Sequence, residues 1–324
     1  MNVLGIETSC DETAASVVRD GKEILSQVVS SSLKDHQKYG GIIPEIASRR
    51  QIEWIQMVVR GALKEADLSL KDIHAVAVTE SPGLIGSLLV GISYARGLAY
   101  SLKIPLREVN HIEAHLYANF LRFQDEPETD IPVLPAIGLV VSGGHSSLFH
   151  IKSFRHFKLL GQTRDDAAGE AYDKVARLMG LGYPGGPILD KLSRQTDSSA
   201  IRFKCAKLPE SLDFSFSGVK TAVLYHLQKH PRPSEEDLAQ IAFAFQESVV
   251  SVLVEKSISA CKKYKLKTLV IGGGVAANSL LRKKLTFRGQ EKTIKVFFPA
   301  LKLCLDNASM VGGLGYQLLK QRRP

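Results

Sequence analysis

His111 and His115 stand four residues apart in the run Asn110-His111-Ile112-Glu113-Ala114-His115. On a helix that spacing is close to one turn, so both imidazoles leave one face and can close on a single divalent cation. Zinc proteases of the H-E-x-x-H type use the same spacing, with the glutamate directly after the first histidine. Here Glu113 lies two residues from each histidine, about 200° round a helix, and points away from them. A general base must come within about 3 Å of the water it deprotonates. A peptidase is therefore expected only if the segment is not helical. The ordinary alternative is a pair of surface or capping histidines. A carboxylate suited to a third ligand occurs near the carboxyl end, in Cys304-Leu305-Asp306-Asn307-Ala308, which reads as the opening of a helix. Two histidines and one aspartate leave coordination positions open, which suits a catalytic rather than a structural ion.

Three glycine-bearing loops follow apparent strands, and each can present backbone N–H groups to phosphate. They are Gly5 to Thr13, Val141-Ser142-Gly143-Gly144-His145, and Gly272 to Asn278. Singly they are turns; together they suggest a nucleotide held between two lobes. The third fits the dinucleotide fingerprint G-x-G-x-x-A, but that fold wants an acid about 20 residues on. This chain has Val296-Phe297-Phe298-Pro299 there, and it contains no G-x-x-x-x-G-K-[ST]. Rossmann and P-loop readings fall away, leaving an actin-like or sugar-kinase-like cleft. In Asp165 to Lys174, residues 166, 170 and 173 would share one helical face, either solvated or functional. The turn from Tyr183 to Asp190 follows, and Asp173, Gly186 and Asp190 are candidates to meet a ribose.

The elements that must position these residues alternate between β-rich runs and amphipathic stretches, as in an α/β fold. Strands are expected at Val3 to Ile6, Ala14 to Arg19 and Glu23 to Ser30, a helix near Ile46 to Ala66, a strand at Ala75 to Thr79 and a helix after Gly86. A second cycle opens with strands at Ile137 to Val141 and Ser147 to Lys152 and closes with one at Thr268 to Ile271. No sequence repeat supports the duplication, which is architectural inference. Glu126 to Pro135, rich in acids and prolines, reads as the linker. A length of 324 residues accommodates two such domains.

The balance of 42 basic against 33 acidic residues gives +9, with cations bunched at Lys262 to Lys265, Arg282 to Lys284 and Lys320 to Arg323. That favours nucleic acid modestly. The four cysteines, at 10, 205, 261 and 304, include no C-x-x-C pair, which argues against a disulfide framework or a zinc ribbon and for a reducing compartment. No signal peptide is visible in Met1 to Cys10. The uncharged stretch Ser81 to Ala95 is too short for a membrane span and reads as a buried helix beneath a loop. A soluble, cytoplasmic protein is expected.

As a set these motifs closely resemble the universal tRNA threonylcarbamoyltransferases, the TsaD family of bacteria, once described as glycoproteases. The matching runs are Gly5 to Thr13 (GIETSCDET), Tyr39 to Ser48 (YGGIIPEIAS), Asn110 to His115 (NHIEAH) and Val141 to His145 (VSGGH). They continue through Asp165 to Lys174 (DDAAGEAYDK), Tyr183 to Pro187 (YPGGP), Asp213 to Thr221 (DFSFSGVKT), Gly272 to Asn278 (GGGVAAN) and Cys304 to Asn307 (CLDN). They run in order along nearly the whole chain. Ser81 departs from a usual glycine and Leu305 from a usual threonine.

The resemblance implies an α/β, actin-like (ASKHA) fold of two ribonuclease-H-like lobes around a nucleotide cleft, residues 1–132 plus 300–324 and residues 133–299. It implies transfer of threonylcarbamoyl from threonylcarbamoyl-AMP to N6 of adenosine-37, in tRNAs reading codons that begin with A, with release of AMP. His111, His115 and Asp306 then look like ligands of one divalent metal, Fe2+ or Zn2+. Val140, Val141, Ser142, Gly143, Gly144, Asp173, Gly186, Asp190 and Asn278 look like the groups that hold the adenylate. Asp11 and Glu12 are candidates for the proton acceptor, with shaping of the loop as their alternative. The implied partners are tRNA, a paralogous inactive actin-like subunit (TsaB), a small ATPase (TsaE) and a synthase supplying the donor. A metallopeptidase and a nucleotide-binding module without transfer activity remain as alternatives.

Overall fold

The structure is a computed structural model, and it describes residues 1–127, 130–206 and 208–320. The chain divides into two compact units, Met1–Ile131 with Pro299–Pro324, and Pro132–Phe298.

Unit 1 holds strands β1 (Asn2–Glu7), β2 (Glu12–Arg19), β3 (Glu23–Ser31), β4 (Ala75–Ser81), β5 (Leu106–Asn110) and β6 (Arg122–Phe123). Its helices are α1 (Leu33–Gln37), α2 (Pro44–Glu65), α3 (Ile85–Leu102), α4 (His111–Tyr117) and the late α10 (Ala308–Lys320). Unit 2 holds strands β7 (Ala136–Val141), β8 (Ser146–Ser153), β9 (His156–Gln162), β10 (Thr268–Gly272) and β11 (Lys295–Phe297). Its helices are α5 (Ala168–Leu178), α6 (Gly185–Ser193), α7 (Ser217–Lys229), α8 (Glu235–Tyr264) and α9 (Ser279–Glu291).

The two sheets share one plan. In unit 1 the order is β5-β4-β1-β2-β3-β6, and in unit 2 it is β11-β10-β7-β8-β9. In each, the first three strands form an antiparallel meander and two later strands add in parallel beyond the first, while in unit 1 the short β6 pairs in parallel with β3 at the other edge. The three-residue β2–β3 connection follows from local chemistry: Asp20 (φ 51°) and Gly21 (φ 70°) both take the left-handed region, and Lys22 N closes the turn on the Arg19 carbonyl (3.1 Å). The expected strands are all present. Sequence reading overlooked β5 and β9, and α5 begins only at Ala168, so Asp166 lies before the helix rather than on its face.

Alternation along β1 decides what each side of the unit 1 sheet meets. Leu4 and Ile6 join Ala15 and Val17 in a buried cluster with Ile55, Val58, Val59 and Ala62 of α2 and Ala95 and Ala99 of α3. Each large aliphatic side chain so buried contributes about 1.5–3 kcal/mol. The other face of β1 receives α10. A Cβ on Gly5 would collide with the Ala308 carbonyl, and one on Gly315 with Ala77; glycine lets this helix lie unusually close to the sheet. The segment Ser81 to Ala95, expected to be a buried helix, is instead half exposed. Within α3, Ile85, Leu89 and Tyr100 face outward at 78%, 57% and 87% exposure, because lack of charge does not by itself dictate burial on every side. Among the described residues, the one helix long and apolar enough to cross a membrane is α8. It is a core helix of unit 2, with Ile241, Phe245, Val249, Leu253 and Ile258 buried.

Candidate active site

Strand β5 ends at Asn110, whose side chain accepts hydrogen bonds from the backbone N–H of Ile112 (2.9 Å) and Glu113 (3.1 Å) and so starts α4. The two histidines therefore occupy successive turns of one short helix. Both are buried, with ring centroids 4.6 Å apart in an edge-on arrangement. Asp306 comes from the turn before α10. Asn307 fixes that turn: its Oδ1 accepts from Met310 N (3.0 Å) while its Nδ2 donates to the carbonyl of Leu305 (2.9 Å). As a result Asp306 Oδ1 lies 3.1 Å from His115 Nε2 and 3.5 Å from His111 Nε2.

These three side chains offer ligand atoms within 4.8 Å of one another. Bonds of about 2.1 Å put neighbouring ligand atoms roughly 3.0 Å apart in an octahedron and 3.4 Å apart in a tetrahedron. The aspartate–imidazole distances match that range, so the donor set fits a divalent ion.

Behind His111 stands Glu7, fully buried at the end of β1 on the α10 side. Its Oε1 accepts from Ser9 N (2.5 Å), and its Oε2 accepts from Thr79 Oγ1 (2.5 Å) and lies 3.1 Å from His111 Nδ1. Ser9 Oγ is 3.2 Å from the same nitrogen. A carboxylate behind a metal-binding histidine fixes its tautomer and strengthens it as a ligand. Sequence reading passed over Glu7, although a carboxylate ending an otherwise apolar strand is a usable signal.

The electrostatics favour a cation. Burial alone would lower the pKa of His111, but Asp306 and then Glu7 more than reverse this and raise it to about 9. A proton thus occupies a place that an ion can take. Glu12 is pushed well above the ordinary carboxylate range, by burial first and then by the neighbouring Asp306 and Asp11. Glu113 takes no part in the cluster; burial alone raises it to about 7.

In unit 2, Val140 and Val141 are the buried last residues of β7 and deliver a tight turn, with Ser142 N donating to His145 O (2.8 Å) and His145 N to Ser142 Oγ (3.1 Å). A methyl on Gly143 or Gly144 would meet nothing within 4 Å, so neither glycine is required by protein packing. Their backbone faces open space. The elements behind are tightly set: a Cβ on Gly169 of α5 would strike this turn, and Gly273 (φ 89°) presses on the Val141 carbonyl. The start of α5 and the loop after β10 thus converge on the turn after β7.

Asp173 Oδ1 accepts from Gly185 N at the start of α6 (2.7 Å); burial raises its pKa, opposed by the N–H groups of Gly185 and Gly186. Asp190 Oδ1 accepts from Ser279 Oγ (2.8 Å) and Ser279 N (3.2 Å), tying α6 to α9. Asn278 is an internal strut. Its Oδ1 caps α9 at Leu281 N (2.9 Å), and its Nδ2 donates to Gln246 Oε1 (2.8 Å), with Tyr172 Oη at 3.4 Å. Gln246 in turn donates to Ser193 Oγ (2.8 Å). This buried polar network joins α5, α6, α8 and α9, and its members other than Asn278 carry no sequence signal beyond polarity. The acids before α5 are structural: Asp165 accepts from Phe216 N and Ser217 N, and Asp166 pairs with Lys174 and Lys220.

The family model for tRNA N6-adenosine threonylcarbamoyltransferase (TsaD) matches residues 23–313. The chain belongs to this family. It is 50% identical over 322 residues to the tRNA N6-adenosine threonylcarbamoyltransferase of Syntrophus aciditrophicus, covering 99% of this chain and 93% of that one. The Clostridium perfringens enzyme of the same name is 52% identical, with 98% and 93% covered. Among solved structures, component A of Acidaminococcus fermentans (R)-2-hydroxyglutaryl-CoA dehydratase superposes with a TM-score of 0.57 at 15% identity, covering 99% of both chains. Full-length HypF gives 0.63 at 14% identity, over 100% of this chain and 56% of that one. These likenesses concern the fold alone, which is actin-like. The family is one of enzymes that modify tRNA, which leaves the peptidase and non-catalytic alternatives without support.

Proposed function

We propose that this TsaD-family transferase takes threonylcarbamoyl from threonylcarbamoyl-AMP, passes it to N6 of adenosine-37 in tRNAs reading codons that begin with A, and releases AMP. The observation that carries the reading is the buried group of His111, His115 and Asp306 in a chain of this family.

The exocyclic amine of adenine is a poor nucleophile, so the carbamoyl carbon must arrive activated as a mixed anhydride with phosphate. The new C–N bond forms as the C–O bond to AMP breaks, and the amine sheds one proton. Asp11, on the loop after β1, and Glu12, at the start of β2, are the candidate acceptors for it. His111, His115 and Asp306 hold a divalent ion, Fe2+ or Zn2+, with Glu7 orienting His111. When bound, such an ion supplies positive charge for a phosphate or carbonyl oxygen.

In unit 2 the turn Ser142 to Gly144, carried by Val140 and Val141, offers its backbone to the adenylate. Asp173, Gly186 and Asp190 define the ribose end. Asn278 serves by holding the α9 start in place rather than by spending its own donors on the ligand. The target adenosine lies in a single-stranded loop, so its base reaches the enzyme without opening a helix. The working context is the cytoplasm, with a paralogous actin-like subunit (TsaB), a small ATPase (TsaE) and a synthase of the donor.

Asp306→Ala tests the reading. In an assay reconstituted with those helpers and scored by mass spectrometry of tRNA nucleosides, the substitution is expected to lower transfer by about 10³-fold or more and to abolish retention of one metal equivalent, with the circular dichroism spectrum unchanged. Full transfer by that variant would refute the ligand assignment.

A further inference from the structure

We infer that unit 2 carries a phosphate-tracking face for the RNA partner, at the end of its sheet remote from the glycine loops. The inference rests on the proposed tRNA reading and adds to it a surface and a mode of contact.

Strand register places the face. Thr268 pairs with Lys295, Leu269 with Ile137, Ile137 with His150 and His150 with Lys158. The starts of β7, β10 and β11 therefore lie at one end of the sheet together with the β8–β9 turn. The last turn of α8 arrives at the same end, where Tyr264 packs on His150 with centroids 5.1 Å apart. This end exposes Lys152 and Lys158 from the hairpin, Lys263, Lys265 and Lys267 at the α8 exit, and Lys292 before β11. Segments 150–158, 262–268 and 292–298 contain no aspartate or glutamate. Among the described residues, none of these six lysines forms an ion pair, and Lys267 Nζ is steadied at the surface by the Lys292 carbonyl (3.4 Å) and Thr293 Oγ1 (3.3 Å). Their field is felt locally: burial first, and then Lys152 and Lys158, push His150 below its ordinary pKa.

The other basic clusters are partly engaged by the protein itself. Arg282 lies over the Phe298 ring and donates to the Ala276 carbonyl, and Lys284 is paired with Glu247. Of Lys320 to Arg323, all but Lys320 lie outside the described residues. Among the described residues, the α8-exit cluster joins neighbouring strands in one surface of exposed lysines without ion pairs. Its row crosses five strands, four spacings of about 4.8 Å, or roughly 19 Å. Lysines of this kind contact phosphate without reading bases. The five residues of β10 separate this end from Gly272 by about 16 Å at 3.3 Å per residue. The face thus meets a part of the RNA other than the reacting nucleoside, and a paired stem offers the regular phosphate array it suits.

The test is tRNA affinity of the full chain as a function of salt. A Lys158→Gln, Lys263→Gln, Lys265→Gln, Lys267→Gln variant is compared with wild type and with a control carrying Lys22→Gln, Lys64→Gln, Lys71→Gln and Lys103→Gln. The first variant is expected to bind tRNA at least tenfold more weakly near 0.1 M salt, with the slope of log K against log salt shallower by about 3. In the reconstituted assay its KM for tRNA rises while kcat and the thermal midpoint stay put. Unchanged affinity, or an equal loss in the control, would overturn the face while leaving the transfer reading intact. Binding to phosphatidylglycerol vesicles without affinity for tRNA would overturn it in favour of a membrane. Failure of wild type to modify tRNA would strike the function reading, and the binding measurement would still decide the face.

Discussion

Two sheets built on one plan, with β6 as an extra edge strand in unit 1, present different groups at corresponding ends. The loop after β1 in unit 1 and the loop after β7 in unit 2 occupy the same place, beyond the carboxyl ends of central strands, where α/β sheets usually present ligand sites. Unit 1 fills that place with side chains: Glu7, Asp11, His111 and His115 are buried within it. Unit 2 leaves side chains out and exposes the backbone of Gly143 and Gly144. The difference fits the ligands proposed for each unit. A cation needs deprotonated oxygen and nitrogen donors, held by further hydrogen bonds against their own repulsion. An anionic phosphate is satisfied by N–H groups, which every residue carries and which a side chain would obstruct.

Glycine provides the sharpest way to break this contrast. Gly5→Ala puts a methyl onto the Ala308 carbonyl and forces α10, and with it Asp306, off the sheet. We expect a loss of about 3 kcal/mol, a fall in thermal midpoint of roughly 6–10 °C, and weaker metal retention. Gly143→Ala meets no protein atom. It should leave the midpoint unchanged and weaken AMP binding about tenfold, or roughly 1.4 kcal/mol, measured calorimetrically. If Gly143→Ala destabilised the fold and left AMP affinity intact, the turn would be a packing element and the contrast would fail.

Glu7→Gln probes the unit 1 side alone. The amide keeps the shape but, with one oxygen replaced by NH2, can no longer accept from all of Ser9 N, Thr79 Oγ1 and His111 Nδ1. Chelator competition should show metal affinity lower by about 10–100-fold, with AMP binding in unit 2 unaffected. An unaltered metal constant would mean that Glu7 supports the strand end and not the histidine.

How far these sites can be read from sequence also differs between the units. The histidine pair announces itself because helical spacing turns two letters into one face, and β1 and β2 are legible as short apolar runs, buried on both faces, with the Asp20-Gly21 turn closing the hairpin to β3. Asp306 is brought to the pair only by α10 crossing the sheet from the far end of the chain, a tertiary fact with no local trace. Glu7 looks like ordinary strand polarity until its three partners are seen. In unit 2 the glycines are visible, yet the sequence does not separate Asp173 from Asn278, whose donors turn out to be spent on Gln246 and Tyr172. β9 escapes notice because four of its seven residues are exposed and no apolar alternation survives.

The smallest expected effect concerns the acid that the histidine spacing turns away. Burial raises Glu113 from its ordinary value of 4.5 to about 7. Between those values the folded chain binds more of this proton than the unfolded chain does, so stability falls as pH rises through the window and levels off above it. Glu113→Gln removes the titration. Above pH 7 it should stabilise by about 1 kcal/mol, a figure reduced from the full shift because the side chain is only half-buried. Near pH 4.5 the gain should vanish. Urea midpoints at pH 5 and pH 8, taken with metal content, distinguish the possibilities. A gain that appears only at pH 8 with metal retained keeps Glu113 outside the ion site, whereas loss of the metal would pull it into the cluster and undo the division of labour between Glu113 and Glu7.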